Sequence, residues 1–398
     1  MWRDVYLSTT ARAISLCGTL LSATALVIAL QTRGEGGYAI AAVLIAAAGP
    51  PTLLAPLTGW VCDRVDSRLI LVTVSLAQAA ACTLLAFTGE TVVIVALVAL
   101  LASGTALTGP TLNALLPEMV GREQLPKASA IGQTASSVGM LVAPALGGLL
   151  FGWYGLRTPL LIDAGTYLAL TVAALFIRTR RGLVESKGAG PQPGVFRESL
   201  LRPIMIMVAA AVAGVSAVNV ADVFFIRETL HGSATAYGVL GAVWTGAMLV
   251  GAWLLTNRKL GDGGLSVALL GMLAGACAAV ALTATVPGVR WLVPLWALGG
   301  VCNGAANVAA MVLVARRTQA EVRGRAFAIF GAVTNGASAT GYVLGGVLLG
   351  VLSARMVIAL AGVVGLTVAL TLAVPLLKAA ARDRPAGAAD PHPVTSIS

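Results

Sequence analysis

Charge is what this chain has least of. Asp, Glu, Lys and Arg make up 11% of its 398 residues, against ~25% in soluble globular domains. A chain so poor in charge cannot clothe a soluble surface, and its mean hydropathy of +0.91 agrees. Histidine is scarce too, with only His231 and His392. Neither belongs to an H-E-x-x-H zinc site, no G-x-x-x-x-G-K-[ST] suggests ATP drive, and no G-x-S-x-G presents a serine nucleophile. The cysteines (17, 62, 82, 277 and 302) never form C-x-x-C and read as small apolar packing residues. No enzyme activity, cofactor or metal is expected.

What remains is apolar length. A run of ~20 apolar residues spans the hydrocarbon core of a bilayer as a helix. Twelve such runs follow one another: 13–32, 36–62, 69–89, 91–117, 128–156, 158–177, 203–226, 232–257, 263–289, 291–315, 326–354 and 356–377. Ten hold no charged side chain; the other two hold one acid each, Asp163 and Asp222. The fold class is therefore an all-α integral membrane protein with twelve transmembrane helices. The first run is read as a span rather than a cleaved leader, because eleven similar runs follow it.

The net charge of +10 does not point to nucleic acid, because its distribution is one-sided. With twelve spans the connections alternate sides, and 21 of the Lys and Arg residues fall on one side against 5 on the other. The positive-inside rule places both termini in the cytoplasm of a multi-pass cell-membrane protein. The basic loops would attract anionic lipid at that face.

Residues 178–202 are charged and rich in Gly and Pro, and read as a cytoplasmic linker. They divide a first half, 1–177, from a second, 203–378. Residues 379–398 read as a disordered tail. The halves repeat. Ala145-Leu-Gly-Gly-Leu-Leu-Phe-Gly152 aligns with Val343-Leu-Gly-Gly-Val-Leu-Leu-Gly350 at an offset of 198. The same offset sets Lys127-Ala-Ser-Ala-Ile131 over Arg325-Ala-Phe-Ala-Ile329. Parallel six-span repeats are a transporter architecture. Two pseudo-symmetric six-helix bundles are expected.

Between the second and third runs lies a charged turn, Gly59-Trp-Val-Cys-Asp-Arg-Val-Asp-Ser-Arg68. Gly59-x-x-x-Asp63-Arg64 with Arg68 resembles the signature of the major facilitator superfamily between its helices 2 and 3. Ser67 stands where that pattern has an Arg. Asp66, Leu115-Leu-Pro-Glu118 and Leu125-Pro-Lys-Ala128 resemble the macrolide-efflux and enterobactin-exporter-like branch of drug:proton antiporters. Gly139-x-x-x-Ala143-Pro144-x-x-Gly147-Gly148 is similar to the helix-5 signature of antiporters, with Ala143 in place of a usual Gly.

The resemblance implies roles. Gly59, Asp63, Arg64 and Arg68 would form a gate with Glu118, closing the cytoplasmic side when the cavity faces outward. Asp63 would accept bonds from amides at a helix N-terminus, where the dipole favours an anion. Gly139, Pro144, Gly147 and Gly148 would make a bent, close-packed antiporter helix. An acid inside a span is a functional hypothesis by default, so Asp222 and Asp163 are candidates for carrying protons. The family often has an acid in helix 1; here that region reads Ser15-Leu-Cys-Gly-Thr19-Leu-Leu-Ser22.

If spans 1, 4, 7 and 10 line the cavity, as the family implies, its polar residues include Thr19, Ser22, Thr108, Asn113, Asn219, Asn303 and Asn307. Amides and hydroxyls with little charge suit a weakly charged amphipathic substrate. Tyr237 and Trp244 can stack on a substrate or simply pack. The expected function is export of a hydrophobic or amphipathic small molecule by a monomer, with proton antiport and alternating access. Rival readings are an importer or uniporter on the same fold and a non-transporting membrane receptor. The repeat and the lack of catalytic motifs count against the receptor.

Overall fold

The computed structural model describes residues 2–179, 201–318 and 323–382. Among them every regular element is helical. The helices are α1 (Trp2–Thr32), α2 (Gly37–Leu53, resuming as Ala55–Arg64), α3 (Ser67–Phe87), α4 (Thr91–Gly121), α5 (Glu123–Tyr154), α6 (Arg157–Phe176), α7 (Leu201–Phe224), α8 (Ala234–Thr256), α9 (Asp262–Thr283), α10 (Leu292–Arg317), α11 (Arg323–Leu349) and α12 (Ala354–Arg382). Ten described stretches are long and apolar enough to cross a membrane, and Gly37–Leu53 is a shorter apolar helix. This is a multi-pass membrane protein of two six-helix bundles. Most of the 178–202 linker and of the 379–398 tail lies outside the described residues.

Three boundaries differ from the apolar runs, each for a local reason. Helix α1 starts at Trp2, not near residue 13. Its first-turn Asp4 accepts bonds from the amides of Arg178 and Thr179 at 3.0 and 3.1 Å, and from the Thr179 hydroxyl at 3.1 Å. That carboxylate ties the start of α1 to the exit of α6. Helix α2 breaks at Leu54, where Pro50, Pro51 and Pro56 remove backbone donors. Helices α4 and α5 are separated by a single turn residue rather than a ten-residue loop. Gly121 alone is non-helical, at φ 74°, a conformation glycine reaches without steric cost.

In lipid there is no hydrophobic drive between helices, so close backbone approach and hydrogen bonds hold a bundle together. The repeated glycine pairs supply that approach. A Cβ on Gly147 would lie 2.6 Å from the Leu21 carbonyl oxygen of α1. Its counterpart Gly345 would lie 2.8 Å from the Ala217 carbonyl oxygen of α7. Each first glycine therefore packs on the first helix of its own half. The second glycine crosses to the other half. Gly148 abuts Ala234 and Gly238 of α8, and Gly346 abuts Gly37 and Ala41 of α2. The 198-residue repeat is thus also a repeat of contacts.

Both crossings sit at the end of the bundle away from the basic loops. There Gln31 of α1 also donates to Glu228, beyond α7, at 2.9 Å. Moving toward the basic end, the α5–α8 contact loosens. Gly148 and Gly238 meet backbone to backbone, Gly241 meets only the Pro144 ring, and Gly246 meets only the tip of Leu141. The halves are pinned at one end and diverge toward the other.

Valine at Gly238 would overpack this crossing, at a cost of ~1–3 kcal/mol. In a cysteine-free background, Gly152→Cys with Thr235→Cys should cross-link, since a Cβ at 152 would lie 3.3 Å from the Thr235 hydroxyl. Adding Gly238→Val should lower the cross-linking yield. An unchanged yield would show that the crossing does not depend on the glycine.

Candidate functional site

Beside the α5–α8 crossing the structure encloses a cavity of about 230 Å³. Helix α7 presents Asn219 and Asp222 to it, three residues apart and so on one helix face. Tyr237 and Trp244 enter from α8, and Trp296 from α10. Thr24 of α1 and Pro144 of α5 complete the wall from the first half. The Pro144 ring therefore faces the cavity as well as the crossing.

Asp222 is the charged residue in this wall. It is 7% exposed, and one carboxylate oxygen accepts a bond from the Tyr237 phenol at 3.4 Å. Just past it, α7 widens into a π-helical turn, Phe225–Thr229, a distortion frequent at functional sites. Leu230 closes that turn on the Phe225 carbonyl at 2.9 Å. Trp244 and Trp296 meet edge to face at 6.0 Å and give the cavity an aromatic wall. Such a space, mostly apolar with a few convergent polar groups, is the usual form of a small-molecule site.

The second acid lies elsewhere. Asp163, on α6, is 1% exposed and lines a separate cavity of about 170 Å³ inside the first half. Thr19 and Ser22 line that cavity too. Thr19 bonds the Tyr167 phenol at 2.9 Å, and Ser22 donates to the Pro159 carbonyl at 3.1 Å. A third cavity, of about 220 Å³, lies among α1, α4 and α5 near the basic end, where Arg12 donates to Asn113. Thr108 is buried and turns back to the Thr105 carbonyl at 3.5 Å. Asn303 lines a small space behind Trp244, and Asn307 donates to its side chain at 3.1 Å. The seven polar candidates are therefore spread over several spaces, and of them only Asn219 shares the cavity of Asp222.

Around the charged turn the helix N-cap is Asp66. Its carboxylate accepts from the amides of Arg68 and Leu69 at 2.9 and 3.1 Å, starting α3 in favourable charge. The Arg68 guanidinium donates to the Ile177 carbonyl, at the end of α6. Arg64 lies over the Trp60 ring, 4.7 Å from its centroid. Glu118 is exposed at the end of α4. Gly59 and the Asp63 side chain lie outside the described positions. In the second half, the start of α9 does reach the end of α10, where Asp262 pairs with Arg317 at 2.7 Å and Arg316 at 3.4 Å.

Of the antiporter-like positions, Gly139 and Gly147 face α1, while Pro144 and Gly148 face α8. Trp296 and Thr24 were not singled out by the sequence. Trp296 stands in an apolar run where an aromatic is ordinary in a membrane helix, so its sequence carries no signal of the cavity.

The sequence model of the Major Facilitator Superfamily matches residues 9–287 and 260–397. The chain belongs to that superfamily. Macrolide efflux protein A of Streptococcus pyogenes is 30% identical over 173 residues, 42% of this chain and 43% of that protein. The namesake from Enterococcus faecalis is 31% identical over 134 residues, 32% of this chain and 42% of that protein. The chain thus matches less than half the length of these relatives. An uncharacterized MFS-type transporter of Sinorhizobium fredii is 26% identical over 355 residues, 83% of this chain and 84% of that protein. Among solved structures, a bacterial homologue of the iron transporter ferroportin, in an inward-facing state, superposes with a TM-score of 0.77 at 16% identity. It covers 96% of this chain and 100% of that one. The nucleoside transporter NupG gives 0.75 at 16% identity, over 94% of this chain and 99% of that one. At these identities the structures share the fold alone.

Phenylalanine at Tyr237 would remove the phenol that faces Asp222. Leaving a buried acceptor short of its donor costs ~1–3 kcal/mol. The melting temperature of purified Tyr237→Phe protein should fall accordingly. An unchanged melting curve would mean that the phenol does not support Asp222.

Proposed function

We propose that this protein is a secondary transporter exporting a hydrophobic or amphipathic small molecule, such as a drug, antibiotic or siderophore-like metabolite, in exchange for protons. The observation that carries the reading is the cavity between the halves, walled by Trp244, Trp296 and Tyr237 and holding the acid Asp222. Aromatic walls offer an amphipathic molecule apolar contact, and Asn219 offers it a polar handle. The partial likeness to proteins named for macrolide efflux supports export, as does the Pro144-containing motif. On this reading the protein acts as a monomer and serves in multidrug resistance.

The basic end lies in the cytoplasm by the positive-inside rule. The divergence of the halves toward that end then corresponds to a cavity facing inward. Alternating access would close the basic end and open the α5–α8 and α2–α11 crossings. Asp63, Arg64, Arg68 and Glu118 form the cytoplasmic gate of that cycle, with Gly59 allowing close approach. In the inward-facing form, Arg64 and Arg68 rest on Trp60 and the Ile177 carbonyl, and they leave those positions as the gate closes. Asp222 takes a proton from outside and releases it inward, while substrate moves the other way. Asp163 is the second candidate for that task.

Expression in a host stripped of efflux pumps should lower accumulation of at least one compound in an amphipathic panel, and an uncoupler should restore it. Accumulation unchanged by expression would remove the export reading, and uncoupler-insensitive export would remove proton drive. Asp222→Asn should abolish uphill export while the protein still reaches the membrane. Full export by that variant would dismiss Asp222 as the carrier. For the gate, Asp63→Asn should shift the balance of inward and outward forms in cysteine-accessibility labelling, and an unshifted balance counts against it.

A further inference from the structure

The cavity inside the first half is built unlike the one beside Asp222. Its wall is mainly aliphatic, with Leu26, Val43, Leu85, Val98 and Leu101 among the lining residues, and no Lys, Arg or His lines it. One carboxylate, Asp163, stands in that wall at 1% exposure. A buried carboxylate without a positive partner is costly. Its neighbours do little to offset this. Thr166 has one hydroxyl proton, and it points at the Asp163 main-chain carbonyl at 2.7 Å as well as at the carboxylate at 3.1 Å. Cys82 has one thiol proton, and it lies 3.2 Å from the Leu160 carbonyl but 3.6 Å from the carboxylate. The Ser22 hydroxyl, likewise, is shared between the Pro159 carbonyl at 3.1 Å and the Asp163 carboxylate. The carboxylate thus meets three neutral donors, each shared with a main-chain carbonyl, and no cationic partner among the lining residues.

Access is also present. Ala47 and Pro51 line the cavity and are exposed, on the bent stretch of α2 just before its break. On the opposite flank the wall is held by α1, where Gly18 has no side chain. A Cβ there would lie 2.5 Å from the Asp163 carboxylate oxygen. The volume of about 170 Å³ is close to the ~150 Å³ of an apolar cavity that admits a benzene ring.

We infer that this cavity is a second binding site, taking a small lipophilic ammonium ion whose cationic nitrogen pairs with Asp163 and whose aromatic or aliphatic body fills the space beneath α2. It is separate from the cavity of Asp222 and does not depend on which way substrate moves.

The test is equilibrium binding to the purified full-length protein by calorimetry, with 2-phenylethylammonium as the cation and 2-phenylethanol as its neutral analogue. The wild type should bind the cation more tightly than the alcohol. Asp163→Asn should weaken cation binding by about tenfold or more, the worth of a hydrogen bond to a charged group, and leave the alcohol's affinity unchanged. Ala47→Phe, which blocks the mouth without touching the carboxylate, should weaken both. Asp222→Asn should weaken neither. The inference is overturned if the wild type binds no cation, if Asp163→Asn binds it as tightly as wild type, or if Asp163→Asn loses both ligands equally. Failure here leaves the export reading standing, because that reading rests on transport through the other cavity.

Discussion

The backbone contact between Gly148 and Gly238 is the constraint on which the rest of this structure hangs. Lipid gives apolar helices no reason to prefer each other over the bilayer, so association requires surfaces that meet more closely than side chains allow. At this point a side chain on either residue would collide with the backbone of the other helix. The contact fixes where the halves join and leaves the rest of their facing surfaces free to part. Its partner crossing, Gly346 against Gly37 and Ala41, does the same on the other flank. Two tight points at one end, with looser glycine contacts toward the other among the described residues, make a hinge-like arrangement of the two bundles.

Much of this was legible in the sequence, because its causes are local or repetitive. Charge-free runs gave the helices, and the 198-residue repeat gave the two bundles. The aligned pairs Gly147-Gly148 and Gly345-Gly346 take equivalent places in the two bundles, which the structure shows as a repeat of contacts. What the sequence concealed was whatever depends on direction around a helix axis. Asn219, Asn303 and Asn307 look alike as asparagines in apolar runs, yet Asn219 faces the cavity of Asp222 and Asn307 bonds Asn303 on its own helix. The run 36–62 read as one span, yet its three prolines, Pro50, Pro51 and Pro56, break it at Leu54. The extension of α1 to Trp2 was not legible, because it depends on Asp4 meeting the exit of α6 across the bundle.

The charged turn shows the same division. Its residues were conspicuous, but their partners depend on conformation. Asp66 caps α3, while Arg64 and Arg68 bind groups within the first half. In the second half, where the motif is barely recognisable, Asp262 still clasps Arg316 and Arg317. A salt bridge between two helix ends needs only opposite charges at the right place in space. Its geometry can therefore persist after its spacing in sequence has drifted.

The two buried acids break the symmetry that the glycines keep. Both glycine pairs do the same mechanical work, so duplication preserves them at equal spacing. Asp163 and Asp222 sit in different helices, α6 and α7, and face different spaces with different walls. One space is aliphatic and enclosed by a single half; the other is aromatic and completed by residues from both. In the alternating-access cycle proposed above, a cavity completed by both halves changes shape, and an acid in its wall is exposed first to one side and then to the other. A cavity within one rigid half keeps its shape through the same motion. On the proposed reading, that difference suits Asp222 to a step of the transport cycle and Asp163 to the ligand site inferred within the first half.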